Sequence, residues 1–122
     1  KNREDAVLKV EYSRIKRRHK KIDTNRNIIS FSVFKDLSKS KCKYCGLEHS
    51  KEIADRLSER SDGEKLADNV IKINGVDRVN SDIGYTEENS VPCCKYCNTA
   101  KNTMSLDEFY KWIRRIYEYN FK

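Results

Sequence analysis

Two cysteine pairs with the same spacing are the clearest chemical feature of this 122-residue chain. The pairs, Cys42–Cys45 and Cys94–Cys97, have the C-x-x-C spacing that lets one turn of backbone direct two thiols at a single ion. Four thiolates complete the tetrahedral shell of a structural zinc site. The sequence therefore predicts that Cys42, Cys45, Cys94 and Cys97 bind Zn²⁺, and that Cys93 is a spare thiol.

Disulfides and a redox dithiol are the alternatives for these cysteines. A secreted disulfide protein usually has a hydrophobic signal segment and an even number of cysteines, whereas this sequence has five cysteines and no such segment. A thioredoxin-type pair requires a βαβ context, which the sequence lacks. The pairs are separated by residues 46–93, so the segment between them is expected to be an insert that the metal holds at its base.

Charge and composition favour an anionic partner. Hydrophobic and charged residues each make up 37% of the chain, so a small core that depends on a metal or a partner is expected. The formal net charge is +7, and basic residues are densest between residues 14 and 21. This run is either a solvated helix face or, together with a zinc knuckle, a phosphate-binding surface. The residues predicted to bind nucleic acid are Arg17, Arg18, Lys20 and Lys21.

Hydrophobic periodicity predicts helices at both ends of the chain. Leu8, Tyr12 and Ile15 share one face of a first helix over residues 5–22. A capping box of Ser105 and Glu108 starts the last helix. Its expected apolar face consists of Leu106, Phe109, Ile113, Ile116 and Tyr117.

The middle of the chain contains weaker signals. Ser32 is the expected N-cap of a short second helix. The highly charged residues 48–69 are predicted to form a loop with some helix. The remaining predictions are short strands at residues 70–73, 76–79 and 89–92 and a helix at residues 94–101.

Asp77 and Asn98 are candidate ligands for a second, harder metal ion. Carboxylate and amide oxygens suit Mg²⁺ or Mn²⁺ better than they suit thiolate-bound zinc. The two residues lie on opposite arms of a predicted β-β-α unit, and a divalent ion between them would neutralise charge on a leaving 3′ oxygen. The alternative is that Asp77 forms a turn and Asn98 caps a helix.

Residues 74–80, 84–89 and 91–98, followed by Lys101, resemble the HNH (His-Me finger) endonucleases, including phage-encoded members and resolvases of the endonuclease VII type. With the first cysteine pair, the resemblance covers roughly residues 42–109. It implies a structural zinc and a catalytic Mg²⁺ or Mn²⁺ held by Asp77 and Asn98. Asn89 matches the central Asn that braces the loop and orients the catalytic side chain. Lys101 occupies a position where the family often has a basic residue near phosphate.

Arg78 departs from the family pattern. The family usually has its general base, a His, directly after the Asp, whereas an arginine remains protonated and suits phosphate binding. The resemblance then implies either that another group activates the water or that the fold has kept only binding. Because its guanidinium stays protonated, Arg78 is predicted to contact the scissile phosphate.

These inferences combine into one prediction. The fold is expected to be α+β, a small zinc-stapled ββα-metal (HNH) domain with flanking N- and C-terminal helices. Residues 1–40 are expected to form a basic helical extension and residues 41–122 the nuclease domain. The expected function is a metal-dependent DNA endonuclease or nickase, with a non-catalytic nucleic-acid-binding module as the alternative. Double-stranded or branched DNA is the expected partner, without a membrane, in the cytoplasm of a prokaryotic or phage-infected cell.

Overall fold

The computed structural model describes residues 2–54 and 70–121 and has an α+β architecture, as predicted. Four helices surround two small antiparallel hairpins in the described part of the chain. None of these helices is both long enough and apolar enough to cross a membrane. In chain order the elements are α1 (Asn2–Ile22), α2 (Phe31–Ser38), β1 (Lys51–Ala54), β2 (Val70–Ile73), β3 (Gly75–Arg78), β4 (Ser90–Cys93), α3 (Lys95–Lys101) and α4 (Leu106–Asn120).

The start of α2 corrects one prediction. Ser30 is the N-cap, because its hydroxyl accepts a hydrogen bond from the Val33 N–H at 3.2 Å. Ser32, the predicted cap, lies inside the helix. Both serines precede apolar residues at helical spacing, so local sequence did not distinguish them. The Ile29 N–H, one residue before Ser30, donates a long-range hydrogen bond to the Tyr85 carbonyl at 2.8 Å. This bond keeps Ile29 outside the helix and is consistent with a helix that begins directly after Ser30.

The first hairpin corrects a second prediction. Lys51–Ala54 forms β1, whereas residues 48–69 were predicted to be a loop with some helix. The strand pairs with β2 in a register that places Ile53 opposite Ile71. Its charged sequence gives little local strand signal, and the partner strand supplies the hydrogen bonds that keep it extended. Residues 55–69 of that prediction lie outside the described residues.

The hydrophobic core joins the N-terminal helices to this hairpin. Its buried members come from α1, the segment before α2, α2 itself and β2, and they are Leu8, Ile29, Phe34, Ile71 and Ile73. Burying each such side chain contributes roughly 1.5–3 kcal/mol. The core therefore draws residues from both sides of residue 40, and the division of the chain at that point stays a prediction.

The second hairpin and α3 form a β-β-α unit. Gly75 lies opposite Cys93 and Asp77 opposite Val91 in the antiparallel register. Helix α3 follows β4 after Cys94, which is its N-cap. This confirms the predicted strands and helix in outline, with shifts of about one residue at their ends.

The last helix begins as predicted but buries less than its sequence suggests. Both hydrogen bonds of the Ser105–Glu108 capping box are present. Of the predicted apolar face, however, Phe109 is the one residue that is fully buried. Ile113 and Ile116 are 42% and 41% exposed, because the described part of the chain places no element over that stretch of the helix.

Candidate active site and metal centre

The four thiols of the two cysteine pairs lie together. Their Sγ atoms are all within 4.8 Å of one another, and those of Cys45 and Cys94 are 3.6 Å apart. Zn–S bonds of about 2.3 Å at tetrahedral angles put sulfurs about 3.8 Å apart. The cluster therefore has the dimensions of a four-cysteine shell for a metal such as zinc. All five cysteines are free thiols, so none forms a disulfide.

Local backbone geometry brings each pair to the centre. Gly46 has a φ of +79°, a left-handed conformation that glycine adopts without steric cost, and its N–H donates to the Cys42 carbonyl at 3.0 Å. The Tyr44 N–H donates to Cys42 Sγ at 3.4 Å, and the Cys97 N–H donates to Cys94 Sγ at 3.3 Å. These bonds orient the sulfurs of Cys42 and Cys94.

The thiol pKa values suit a cationic occupant. Burial raises the pKa of Cys97 and of Cys45. Burial also opposes ionisation of Cys42, but the N–H groups of Cys94, Cys45 and Tyr44 outweigh it and lower the Cys42 pKa to about 6. A cation bound in the cluster would favour the thiolate forms of Cys45 and Cys97, whose ionisation burial opposes.

Cys93 lies outside this cluster. Its side chain is buried, and its Sγ donates a weak hydrogen bond to the Cys94 carbonyl at 3.4 Å. Burial and the nearby Asp77 charge raise the pKa of Cys93. It therefore has the surroundings of a packed thiol rather than of a ligand.

Asp77 is buried in β3 and is held by two side chains. The Tyr44 hydroxyl donates to Asp77 Oδ2 at 3.0 Å, and the Lys101 ammonium lies 3.2 Å from the same oxygen. Lys101 is fully buried, and its Nζ also donates to the Arg78 carbonyl at 3.3 Å. The structure thus gives Lys101 an internal carboxylate partner, and its predicted contact with phosphate stays a prediction.

Asn98 and Asp77 line the same cavity. It has a volume of about 380 Å³, and Arg18, Arg78 and Tyr85 form other parts of its wall. Asp77 Oδ1 and the side-chain amide of Asn98 have no hydrogen-bond partner among residues 2–54 and 70–121. These oxygens fit the donor set of a divalent ion such as Mg²⁺, although the neighbouring Lys101 ammonium already offsets the Asp77 charge.

Arg78 faces both the cavity and the following loop. Its guanidinium donates to the Ser81 carbonyl and, at 3.4 Å, to the Ile83 carbonyl. The same group lies 5.5 Å from the centre of the Tyr85 ring. Arg78 therefore ties the loop to β3, while its place in the cavity wall leaves it within the candidate site.

Asn89 braces that loop from the other side. Its Nδ2 donates to the carbonyls of Asn80, Ile83 and Gly84 at 2.9, 3.1 and 3.0 Å. Its Oδ1 accepts the Asn80 N–H at 2.8 Å. Asn89 is buried and does not line the cavity with Asp77, so it acts on the site through the loop.

The basic residues predicted on α1 divide between two faces. Arg18 lines the cavity with Asp77, and its guanidinium donates to the Tyr85 hydroxyl at 3.1 Å. Arg17 and Lys20 line a separate concavity beside the 23–28 segment. Lys21 is exposed on the last turn of the helix. The structure thus brings one of the four to the candidate site.

Sequence reasoning missed Tyr44 and Asn74. Tyr44 lies inside the first cysteine knuckle, and burial together with the Asp77 charge raises its pKa, which keeps the hydroxyl a donor. Asn74 Nδ2 donates to the carbonyls of Ser40, Leu47 and Glu48 at 3.0, 3.0 and 3.2 Å, binding the knuckle to the hairpin. The position of Tyr44 between two ligands was the available signal.

A second missed feature fastens α1 to the site loop. His19 Nδ1 accepts the Tyr85 N–H at 2.9 Å, and its Nε2 lies 2.8 Å from the Arg26 carbonyl. Buried Asp23 accepts a hydrogen bond from the Gly84 N–H at 3.1 Å and a second one from the Arg26 guanidinium. Together the two bonds hold the pKa of Asp23 below its usual range. His19 itself is buried.

The β-β-α unit beside four clustered cysteines defines an HNH-like fold. A solved structure of the rare-cutting HNH restriction endonuclease PacI is similar, with a TM-score of 0.55 over 91% of this chain and 77% of that chain. The two are 20% identical, so the likeness is one of fold.

One curated relative is also similar in sequence. An uncharacterized protein of Acanthamoeba polyphaga mimivirus is 30% identical over 76 residues, or 62% of this chain. The chain spans 11% of the length of that relative. No family model matches the sequence.

Proposed function

We propose that the protein is a metal-dependent DNA endonuclease or nickase of HNH type. The observation that carries this proposal is that Asp77 and Asn98 line one cavity of an HNH-like fold. The four cysteines would hold a structural zinc. Asp77 and Asn98 would hold Mg²⁺ or Mn²⁺, which when bound supplies charge neutralisation at the leaving 3′ oxygen.

The protein side chains have separable roles in this proposal. Tyr44 and Lys101 fix one oxygen of Asp77 and leave the other available. Arg18 and Arg78 give the cavity a cationic wall that attracts a phosphodiester. Asn89 holds the loop on which the cavity depends. Among residues 2–54 and 70–121, no histidine lines this cavity.

A nicking assay on supercoiled plasmid with Mg²⁺ or Mn²⁺ tests the proposal. Asp77→Ala and Asn98→Ala should each reduce cleavage at least about a hundredfold, because each removes an oxygen ligand. Thr99→Ala is the matched control, since Thr99 lines the same cavity beside Asn98. Equal cleavage by all three variants would contradict the assignment of the ligands.

A non-catalytic DNA-binding module is the second candidate. It is favoured by Arg78, which stands where the family has its base and is bonded to the loop carbonyls. Wild-type protein that binds DNA but does not cleave duplex, branched or single-stranded substrates with either metal would establish this alternative.

A further inference from the structure

A chain of connected concavities leads away from the candidate catalytic residues. The cavity that holds Asp77 shares Arg18, Tyr85 and Asn98 with a second cavity of about 270 Å³. A third, of about 320 Å³, continues from the second one. We call the second and third cavities the cationic groove, and its charged residues are Glu11, Arg14, Arg18, Lys51, Glu52 and Lys95.

The groove uses one face of α1. Glu11, Arg14 and Arg18 follow each other at spacings of three and four residues, which puts them on the same side of a helix. Lys16, Arg17 and Lys20 line a different concavity. The packing of α1 against the core therefore presents only part of its basic run to the candidate site.

The groove has excess positive charge. The groove has two carboxylates, Glu11 and Glu52. Glu11 pairs with Arg14 at 3.3 Å and with Lys51 at 3.4 Å. Four cationic side chains thus face two anions along the described walls. Arg14 and Lys51 remain 61% and 42% exposed, so their charges are accessible to a ligand. A polyanion is the ligand class that such a wall favours.

We propose that this groove carries the phosphate backbone of the DNA strand that enters the candidate active site, and that the face bearing Lys16, Arg17 and Lys20 does not. The inference rests on the proposed function, because the groove opens into the cavity of Asp77 and Asn98. Glu11 limits the affinity by occupying two of the cations. The strand path thus differs from the one that the basic run alone suggests.

The test compares two triple variants by salt dependence of DNA binding. The probe is a fluorescein-labelled duplex of 20 base pairs, with anisotropy read at 50–200 mM salt without added divalent metal or chelator. The groove variant is Arg14→Gln/Lys51→Gln/Lys95→Gln. The control removes equal charge from the separate concavity of α1 and is Lys16→Gln/Arg17→Gln/Lys20→Gln.

The two variants should differ in slope. Each phosphate contact contributes about −0.9 to the slope of log affinity against log salt, so losing three contacts should flatten it by roughly 2–3. Over this fourfold salt range, the wild type should lose about 40-fold more affinity than the groove variant. The control should keep the wild-type slope within about one. Glu11→Gln should bind more tightly than the wild type, because it frees Arg14 and Lys51.

The outcomes separate this inference from the proposed function. A flattened slope in the control variant, with a wild-type slope in the groove variant, would overturn the groove assignment even if the wild type cleaves plasmid. A flattened slope in the groove variant supports the groove even if no cleavage occurs. Metal content and thermal unfolding show whether each variant is folded. If the groove variant is unfolded, the single variant Lys95→Gln replaces it, because Lys95 is exposed, and it should flatten the slope by about one.

Discussion

Tyr44→Phe is the most informative single substitution, because Tyr44 connects the metal centre to the candidate catalytic carboxylate. Its hydroxyl donates to Asp77 Oδ2 at 3.0 Å, and its ring meets the Phe109 ring at 5.5 Å in an edge contact. Phenylalanine keeps the ring contact and removes the hydrogen bond alone. The change therefore isolates the bond between the knuckle and Asp77.

The expected cost follows from that bond. A hydrogen bond to a charged acceptor contributes about 1.5–3 kcal/mol. Because Lys101 stays on the same oxygen, we expect a loss near 1–2 kcal/mol in the free energy of unfolding. Outer partners of metal ligands typically affect activity about 10–100-fold, and plasmid cleavage should fall by that factor. Bound zinc should be unchanged, since the cysteines are untouched.

The matched control is Tyr96→Phe in the second knuckle. Tyr96 occupies the same place between its cysteines but is 64% exposed, so its loss should change stability by less than about 0.5 kcal/mol. Urea unfolding, metal content and nicking are measured for both variants. If Tyr44→Phe lowers neither stability nor cleavage more than Tyr96→Phe does, the coupling through Tyr44 is refuted.

The wild type and Tyr44→Phe should also differ in how their stability depends on alkaline pH. Burial and the Asp77 charge raise the pKa of Tyr44, whereas in the unfolded chain tyrosine ionises at about pH 10. Above that pH the native state binds more protons than the unfolded state, so the stability contributed by Tyr44 falls as pH rises. Wild-type stability should therefore decline more steeply than that of Tyr44→Phe above about pH 10.

Two further predictions concern the knuckles and the site loop. Elemental analysis should show that a serine in place of Cys42, Cys45, Cys94 or Cys97 removes the bound metal, whereas Cys93→Ser keeps it. Loss of metal from Cys93→Ser alone would show that the ligand assignment is wrong. Gly84→Ala should lower stability by about 1–3 kcal/mol in thermal unfolding, because its Cβ would overlap Nδ1 of the buried His19. Gly75→Ala is the control, since its Cβ would meet its nearest neighbour at an ordinary 3.4 Å, and equal losses would contradict this account.

Features with short-range causes could be predicted from the sequence. Three such features depend on residues a few positions apart: the cysteine pairs, the Ser105 capping box and the strands at 70–73 and 76–79. The structure contains the capping box at the predicted residue and both strands within about one residue of their predicted ends. Resemblance to the HNH endonucleases added the α+β fold and placed Asp77 near Asn98. By contrast, β1 was missed because its strand conformation depends on pairing with Val70–Ile73.

The sequence by itself determined the chemistry available to this protein: four thiols at ligand spacing, an acid and an amide flanking a hairpin, and an excess of basic charge. The tertiary structure decided which groups meet. Tyr44 reaches Asp77 across 33 positions, and Arg18 reaches Tyr85 across 67. The rotation of α1 about its axis, set by burial of Leu8 in the core, decides which basic residues face the groove. Such pairings depend on packing between distant segments, and local sequence patterns carry no record of them.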